Sequence, residues 1–63
     1  MYIIFAGDIY YPKGGANDII GYYQTFELAL YKFNEYVNNN EYEWIHILDT
    51  DIHDIVRQYK SNN

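Results

Sequence analysis

One segment of the chain holds the residue types best suited to contact another molecule. Residues 8–18 read Asp-Ile-Tyr-Tyr-Pro-Lys-Gly-Gly-Ala-Asn-Asp. The rings of Tyr10 and Tyr11 would dock on a protein or stack on a nucleobase, because each offers a broad apolar face with a polar tip. Lys13 and the neighbouring glycine amides would meet a phosphate. The segment therefore predicts a contact surface for a protein, or for a nucleotide-like small molecule.

Acidic and imidazole side chains are the candidates for catalysis. Asp18 and His46 would form an acid–base pair if the loop reached the strand that carries His46. An aspartate beside a turn more commonly caps the backbone, and a histidine that alternates with a tryptophan is more commonly packed. The chain has no cysteine, and its one serine, Ser61, lies near the end. We predict a protein that is not an enzyme and uses no cofactor.

A calcium-loop pattern is the remaining candidate for a chemical site. Residues 49–54 read Asp-Thr-Asp-Ile-His-Asp, which places acids at alternate positions. The run lacks the glycine at the sixth position and the late glutamate that define such a loop. We predict a solvated acidic turn and no metal site.

Length and composition predict one small domain over residues 1–60, followed by a disordered tail at 61–63. A chain of 63 residues without cysteine must rely on dense packing or on self-association for its stability. Its hydrophobic content of 49% and aromatic content of 21% are compatible with dense packing and with self-association. We therefore expect a homo-oligomer, most simply a dimer.

The charge balance bears on the choice of partner. Nine acidic residues stand against four basic ones, for a net charge of −5, and the basic residues are scattered. This predicts no direct binding to nucleic acid, because no basic patch is available to neutralise phosphates. No apolar run approaches the length of a signal peptide or a membrane span. We expect a protein of the cytoplasm that does not contact a membrane.

Two short apolar runs predict the first two strands. Residues 2–7 and 19–24 are rich in Ile, Tyr and Phe, and the loop between them suits antiparallel neighbours. Gly21 within the second run indicates a bulge. Tyr22 and Tyr23 in the same run are further candidates for the contact surface, and we assign Asp18, Trp44 and His46 to it as well.

A helix is predicted to follow, with Thr25 as its N-cap and Glu27 in its first turn. Its apolar face has helical spacing and consists of Phe26, Ala29, Leu30, Phe33, Tyr36 and Val37. The asparagines at 38–40 end it. Leu28 and Tyr31 fall outside the apolar face and are expected to be exposed.

Residues 42–48 predict a third strand with apolar or amphipathic groups on both faces. Trp44 and His46 alternate with two isoleucines, so one face covers the helix and the other is too aromatic for a solvated surface. Residues 51–60 remain open between a helix, which the spacing of their apolar residues favours, and a turn followed by a fourth strand. The predicted core consists of Ile3, Phe5, Ile20, Phe26, Leu30, Phe33, Val37, Ile45 and Ile47.

The order of these motifs resembles a family of small uncharacterised proteins encoded by bacteriophages. The residues that carry the likeness are the Y-Y-P-x-G-G loop at 10–15 and the W-x-H-I-x-D strand at 44–49. The resemblance favours an α+β fold with a small antiparallel sheet in the order β-β-α-β-β, with β-β-α-β-α as the alternative. It also implies an accessory protein of the host cytoplasm that binds and inhibits a host defence protein. The alternative function is an oligomeric protein that sequesters a nucleotide signal.

Overall fold

The computed structural model describes residues 1–8 and 18–61. Its elements are β1 (Tyr2–Gly7), β2 (Ile19–Tyr23), α1 (Phe26–Asn38), β3 (Trp44–Asp49) and β4 (Asp54–Lys60). The predicted α+β fold and the β-β-α-β-β order are confirmed. Of the predicted tail at 61–63, Ser61 is described, and its amide donates to the Glu43 carbonyl at 2.7 Å.

All four strands form one antiparallel sheet in the order β2-β1-β3-β4. The two central strands pair without interruption, from Tyr2 opposite Asp49 to Gly7 opposite Trp44. Each edge strand carries an irregularity in its pairing. In β2 it lies next to Gly21, as predicted, and in β4 it lies between residues 55 and 57.

The helix begins and ends where its sequence predicts. The Thr25 side chain accepts a hydrogen bond from the Leu28 amide at 3.2 Å, which caps the first turn. At the other end, Asn40 adopts a φ of 55°, in the left-handed region that asparagine tolerates. Leu28 and Tyr31 are exposed, as expected.

The core lies between α1 and one face of the sheet. Its buried members are Ile4, Ala6, Ala29, Phe33, Ile45 and Ile47. The assignment of Ile3 and Phe5 to this core is wrong, because β1 buries Ile4 and Ala6 beneath the helix instead. Every position of β1 before Gly7 is apolar, so the sequence alternation does not mark which face is covered. Of the other predicted core residues, Phe33, Ile45 and Ile47 are buried, and four are partly buried and pack around the centre: Ile20, Phe26, Leu30 and Val37.

Residues 54–60 form a strand, so the helical alternative for this segment is wrong. The preceding turn contains no glycine, and His53 takes the left-handed conformation instead, with a φ of 55°. The Asp49 carboxylate accepts a hydrogen bond from the Asp51 amide at 2.9 Å, which closes the turn locally. The helical spacing of the apolar residues in this segment does not mark a buried helix face. Ile52 is exposed at the turn, and the strand that follows it is mostly exposed.

Candidate functional site

The sheet has one face covered by α1 and one face that no described helix or strand covers. The helix packs on β1, β2 and β3 from a single side, where Ile4, Ile45 and Ile47 are buried. Side chains alternate between the faces of a strand, and residues directly opposite one another share a face. The register therefore defines a second surface, here called the open face: Ile3, Phe5, Ile19, Tyr22, Trp44, His46, Leu48, Ile55, Gln58 and Lys60.

The open face is mostly apolar and partly accessible to water. Tyr22 is 62% exposed and Ile55 is 39% exposed, whereas Phe5, Trp44 and Leu48 are half-buried. Antiparallel sheets that are solvated on one side usually carry polar side chains there. An apolar face of this kind is a candidate for a contact surface.

Two aromatic rings meet at one end of the open face. The Trp44 and His46 rings are 5.2 Å apart at a tilt of 52°. The indole also lies against Gly7, where an added Cβ would stand 3.1 Å from Trp44 Cζ2. Glycine at this position therefore lets the indole lie close to the backbone of β1.

A cleft of about 360 Å³ opens beside these rings, at the ends of β3 and β4, and is lined by Trp44, His46, Gln58, Tyr59 and Lys60. Trp44 is paired with Lys60, and His46 with Gln58. The indole, the amide and the ammonium group all supply hydrogen-bond donors. Among residues 1–8 and 18–61, no carboxylate lines the cleft.

Acidic residues lie at both ends of the strands that form the open face. Asp49, Asp51 and Asp54 lie at the β3–β4 turn. At the opposite end, Asp8 follows β1 and Glu43 precedes β3. The register places Asp49 and Asp54 on the side that α1 covers, and Asp8 acts on Tyr42 of that same side, so these acids lie away from the open face.

The dimensions of the molecule set the size of this surface. Its principal extents are 31 × 23 × 15 Å, and the short axis matches one sheet layered with one helix. Four strands of five to seven residues, with ~4.8 Å between strands and ~3.4 Å per residue, give a sheet face of roughly 400 Å². That is about half of the ~800 Å² that each partner buries in a standard protein–protein interface, so the open face would form the central part of an interface.

The structure brings three of the predicted site residues onto one surface, namely Tyr22, Trp44 and His46. Tyr23 points to the covered side and packs against the core, and Asp18 is buried. The predicted loop residues Tyr10, Tyr11 and Lys13 lie outside the described residues.

The aliphatic part of this surface was not predicted from the sequence. Ile3, Leu48 and Ile55 lie side by side across β1, β3 and β4 on the open face. The available signal was the run of apolar residues in β1 and the apolar majority of β3, which leave apolar groups on the two faces of the sheet.

The covered side carries tyrosines whose acidity is altered by their surroundings. Burial, together with the neighbouring Tyr23, raises the pKa of Tyr36, and burial raises the pKa of Tyr42. Their rings meet edge to face at 5.6 Å. These groups stabilise the packing beneath the helix and lie away from the open face.

Within residues 1–8 and 18–61, no three His, Asp or Glu side chains come together as metal ligands would. In the same part of the chain, no helix has the length and apolar character needed to cross a membrane.

Comparison with known proteins places the chain among phage proteins. A family model described as bacteriophage T4 protein Y07C matches residues 2–59. The chain is 37% identical over 60 residues to an uncharacterized 16.0 kDa protein of the segB-ipI intergenic region of Enterobacteria phage T4. That alignment covers 87% of this chain and 44% of the T4 protein, so the chain matches less than half of its relative's length. No solved structure matches the chain. The match over nearly the whole chain shows that it belongs to the bacteriophage T4 Y07C family.

Proposed function

We propose that this phage protein is a non-enzymatic inhibitor that binds a host protein stoichiometrically through its open face. The observation that carries the proposal is an apolar sheet face, with exposed Tyr22 and half-buried Trp44, that α1 leaves uncovered. Aromatic anchors at the centre of a contact surface supply most of the energy of protein association.

The partner docks on the face of the sheet and does not extend one of its edges. Added strands require a regular row of unpaired backbone groups, and bulges interrupt such a row. Both edge strands, β2 and β4, have an irregularity in their pairing. The central strands β1 and β3 pair with each other without any irregularity, so the middle of the open face is rigid.

The open face and the net charge together specify the chemistry of the partner. The mostly apolar face favours an apolar patch on the partner, and the net charge of −5 favours basic residues around that patch. A second copy of this chain fits less well, because two molecules that each carry a net charge of −5 repel one another. The predicted homodimer therefore becomes a competing occupant that the experiment must distinguish.

The experiment compares two tyrosines of similar exposure on opposite sides of the molecule. Tyr22 on the open face is 62% exposed, and Tyr31 on the outer surface of α1 is 66% exposed. Tagged wild-type protein, Tyr22→Ala and Tyr31→Ala are produced in infected host cells, and bound proteins are identified by mass spectrometry. The captured partner is then purified, and its affinity and stoichiometry are measured by calorimetry.

We expect a one-to-one complex that Tyr22→Ala weakens by about 2 kcal/mol or more and that Tyr31→Ala leaves within about 0.5 kcal/mol. Inhibition of the partner's activity should saturate at the same ratio. Equal losses in the two variants would contradict an open-face site. Sedimentation of the free protein as a dimer that Tyr22→Ala dissociates would assign the face to a second copy instead.

A further inference from the structure

We propose that the cleft between the ends of β3 and β4 binds a nucleoside monophosphate, with the base stacked on Trp44 and the phosphate held by Lys60. This small-molecule site goes beyond the proposed function and does not depend on the host partner. Its described lining residues all belong to β3 and β4, and four of the five lie on the open face.

The aromatic component of the cleft is preorganised. The Trp44 indole is fixed on one side by Gly7 and contacts the His46 ring at a centroid distance of 5.2 Å. A ring held in this way loses little freedom when a base stacks on it, and base–aromatic stacking is an established source of affinity.

The polar component is selective for an anion. Lys60 lies directly opposite Trp44 across the strand pair, so an ammonium group and an aromatic ring border the same space. Gln58 lies opposite His46 and supplies an amide that can both donate to and accept from the edge of a base. The described lining residues carry an ammonium group and an amide and include no carboxylate, so among them a phosphate meets hydrogen-bond donors.

The size of the cleft fits one nucleotide unit. Its volume of about 360 Å³ lies at the lower end of the range for small-molecule sites. The strand register places the stacking ring at the end of the sheet, so the sugar would lie towards solvent.

The experiment follows the single tryptophan of the chain. Because Trp44 is the only one, its indole N–H gives one signal in a proton–nitrogen correlation spectrum. The purified protein is titrated with adenosine and uridine monophosphates, with the two nucleosides and with inorganic phosphate. We expect a saturable shift of the indole signal with the monophosphates, and affinities about tenfold weaker for the nucleosides and for phosphate alone.

Two variants that remove one positive charge from the same strand supply the matched control. Lys60→Gln alters the lining of the cleft, whereas Arg57→Gln alters a residue outside it, on the covered side of β4. We expect Lys60→Gln to weaken the monophosphate about tenfold and Arg57→Gln to change its affinity less than about twofold. Equal weakening in the two variants, no saturable shift, or equal affinity for nucleoside and monophosphate would each overturn the proposal.

Discussion

Ile47 and Leu48 are neighbours on β3 that face opposite sides of the sheet, and they test the assignment of the two faces without any partner. Ile47 is fully buried beneath α1. Leu48 lies on the open face opposite Ile3 and is half-buried. Replacing either residue by alanine removes three carbon atoms, so the two changes differ in environment and not in the number of atoms lost.

The expected loss of stability follows from this difference in burial. Three fully buried carbons contribute roughly 2.4 kcal/mol of transfer free energy, and the cavity left behind raises the cost of Ile47→Ala to about 3–4 kcal/mol. Leu48→Ala removes partly solvated carbons and leaves no enclosed cavity, so its cost is about 1 kcal/mol. A chain of this length is stable by roughly 3–9 kcal/mol, so Ile47→Ala removes a large part of the total.

The assay is urea unfolding followed by far-ultraviolet circular dichroism, with the denaturant dependence fitted separately for each variant. Ile47→Val, expected to cost about 0.5–1.5 kcal/mol, keeps the comparison measurable if Ile47→Ala does not fold. A cost for Leu48→Ala as large as that for Ile47→Ala would refute the assignment, because Leu48 would then be covered in the folded protein.

Three further changes test other parts of the fold. Gly21→Ala should destabilise by about 1–3 kcal/mol in urea unfolding, because the new Cβ would stand 2.6 Å from the Tyr23 hydroxyl oxygen. His53→Gly should stabilise by about 0.5–1 kcal/mol in thermal unfolding, whereas His53→Ala should not, since the native φ of 55° suits glycine. Burial raises the pKa of Tyr42, so its stabilising contribution is complete below about pH 10 and is lost as pH rises through the folded-state pKa. Tyr42→Phe should therefore lessen the alkaline loss of stability, measured by circular dichroism alongside tyrosinate absorbance, and an unchanged alkaline profile would contradict this.

Local signals in the sequence were enough to predict most of the elements. Thr25 and the asparagines at 38–40 mark the ends of the helix through hydrogen-bonding and backbone preferences of single residues. Gly21 marks the irregular edge strand for a similar local reason. For residues 54–60, the resemblance to phage proteins favoured the strand, whereas the spacing of apolar residues favoured a helix.

The faces of the sheet could not be predicted in the same way. Alternation assigns a strand's faces when one side is polar, but Ile3, Ile4 and Phe5 are consecutive apolar residues. The assignment of the faces of β1 depends on which of its residues lie under α1. In the structure these are Ile4 and the small Ala6, which pair with buried residues of β3. The same long-range pairing places Tyr22 and Trp44 on one surface, so the open face emerges only from the register.

The central claim, that the open face is the docking surface, is tested most directly with methyl-labelled leucine. The chain has three leucines: Leu48 on the open face, Leu28 on the outer surface of α1 and Leu30 packed against the core. On addition of the purified host partner, we predict a large change in the methyl signals of Leu48 and little change in those of Leu28. A change centred on Leu28, with Leu48 unaffected, would contradict the claim.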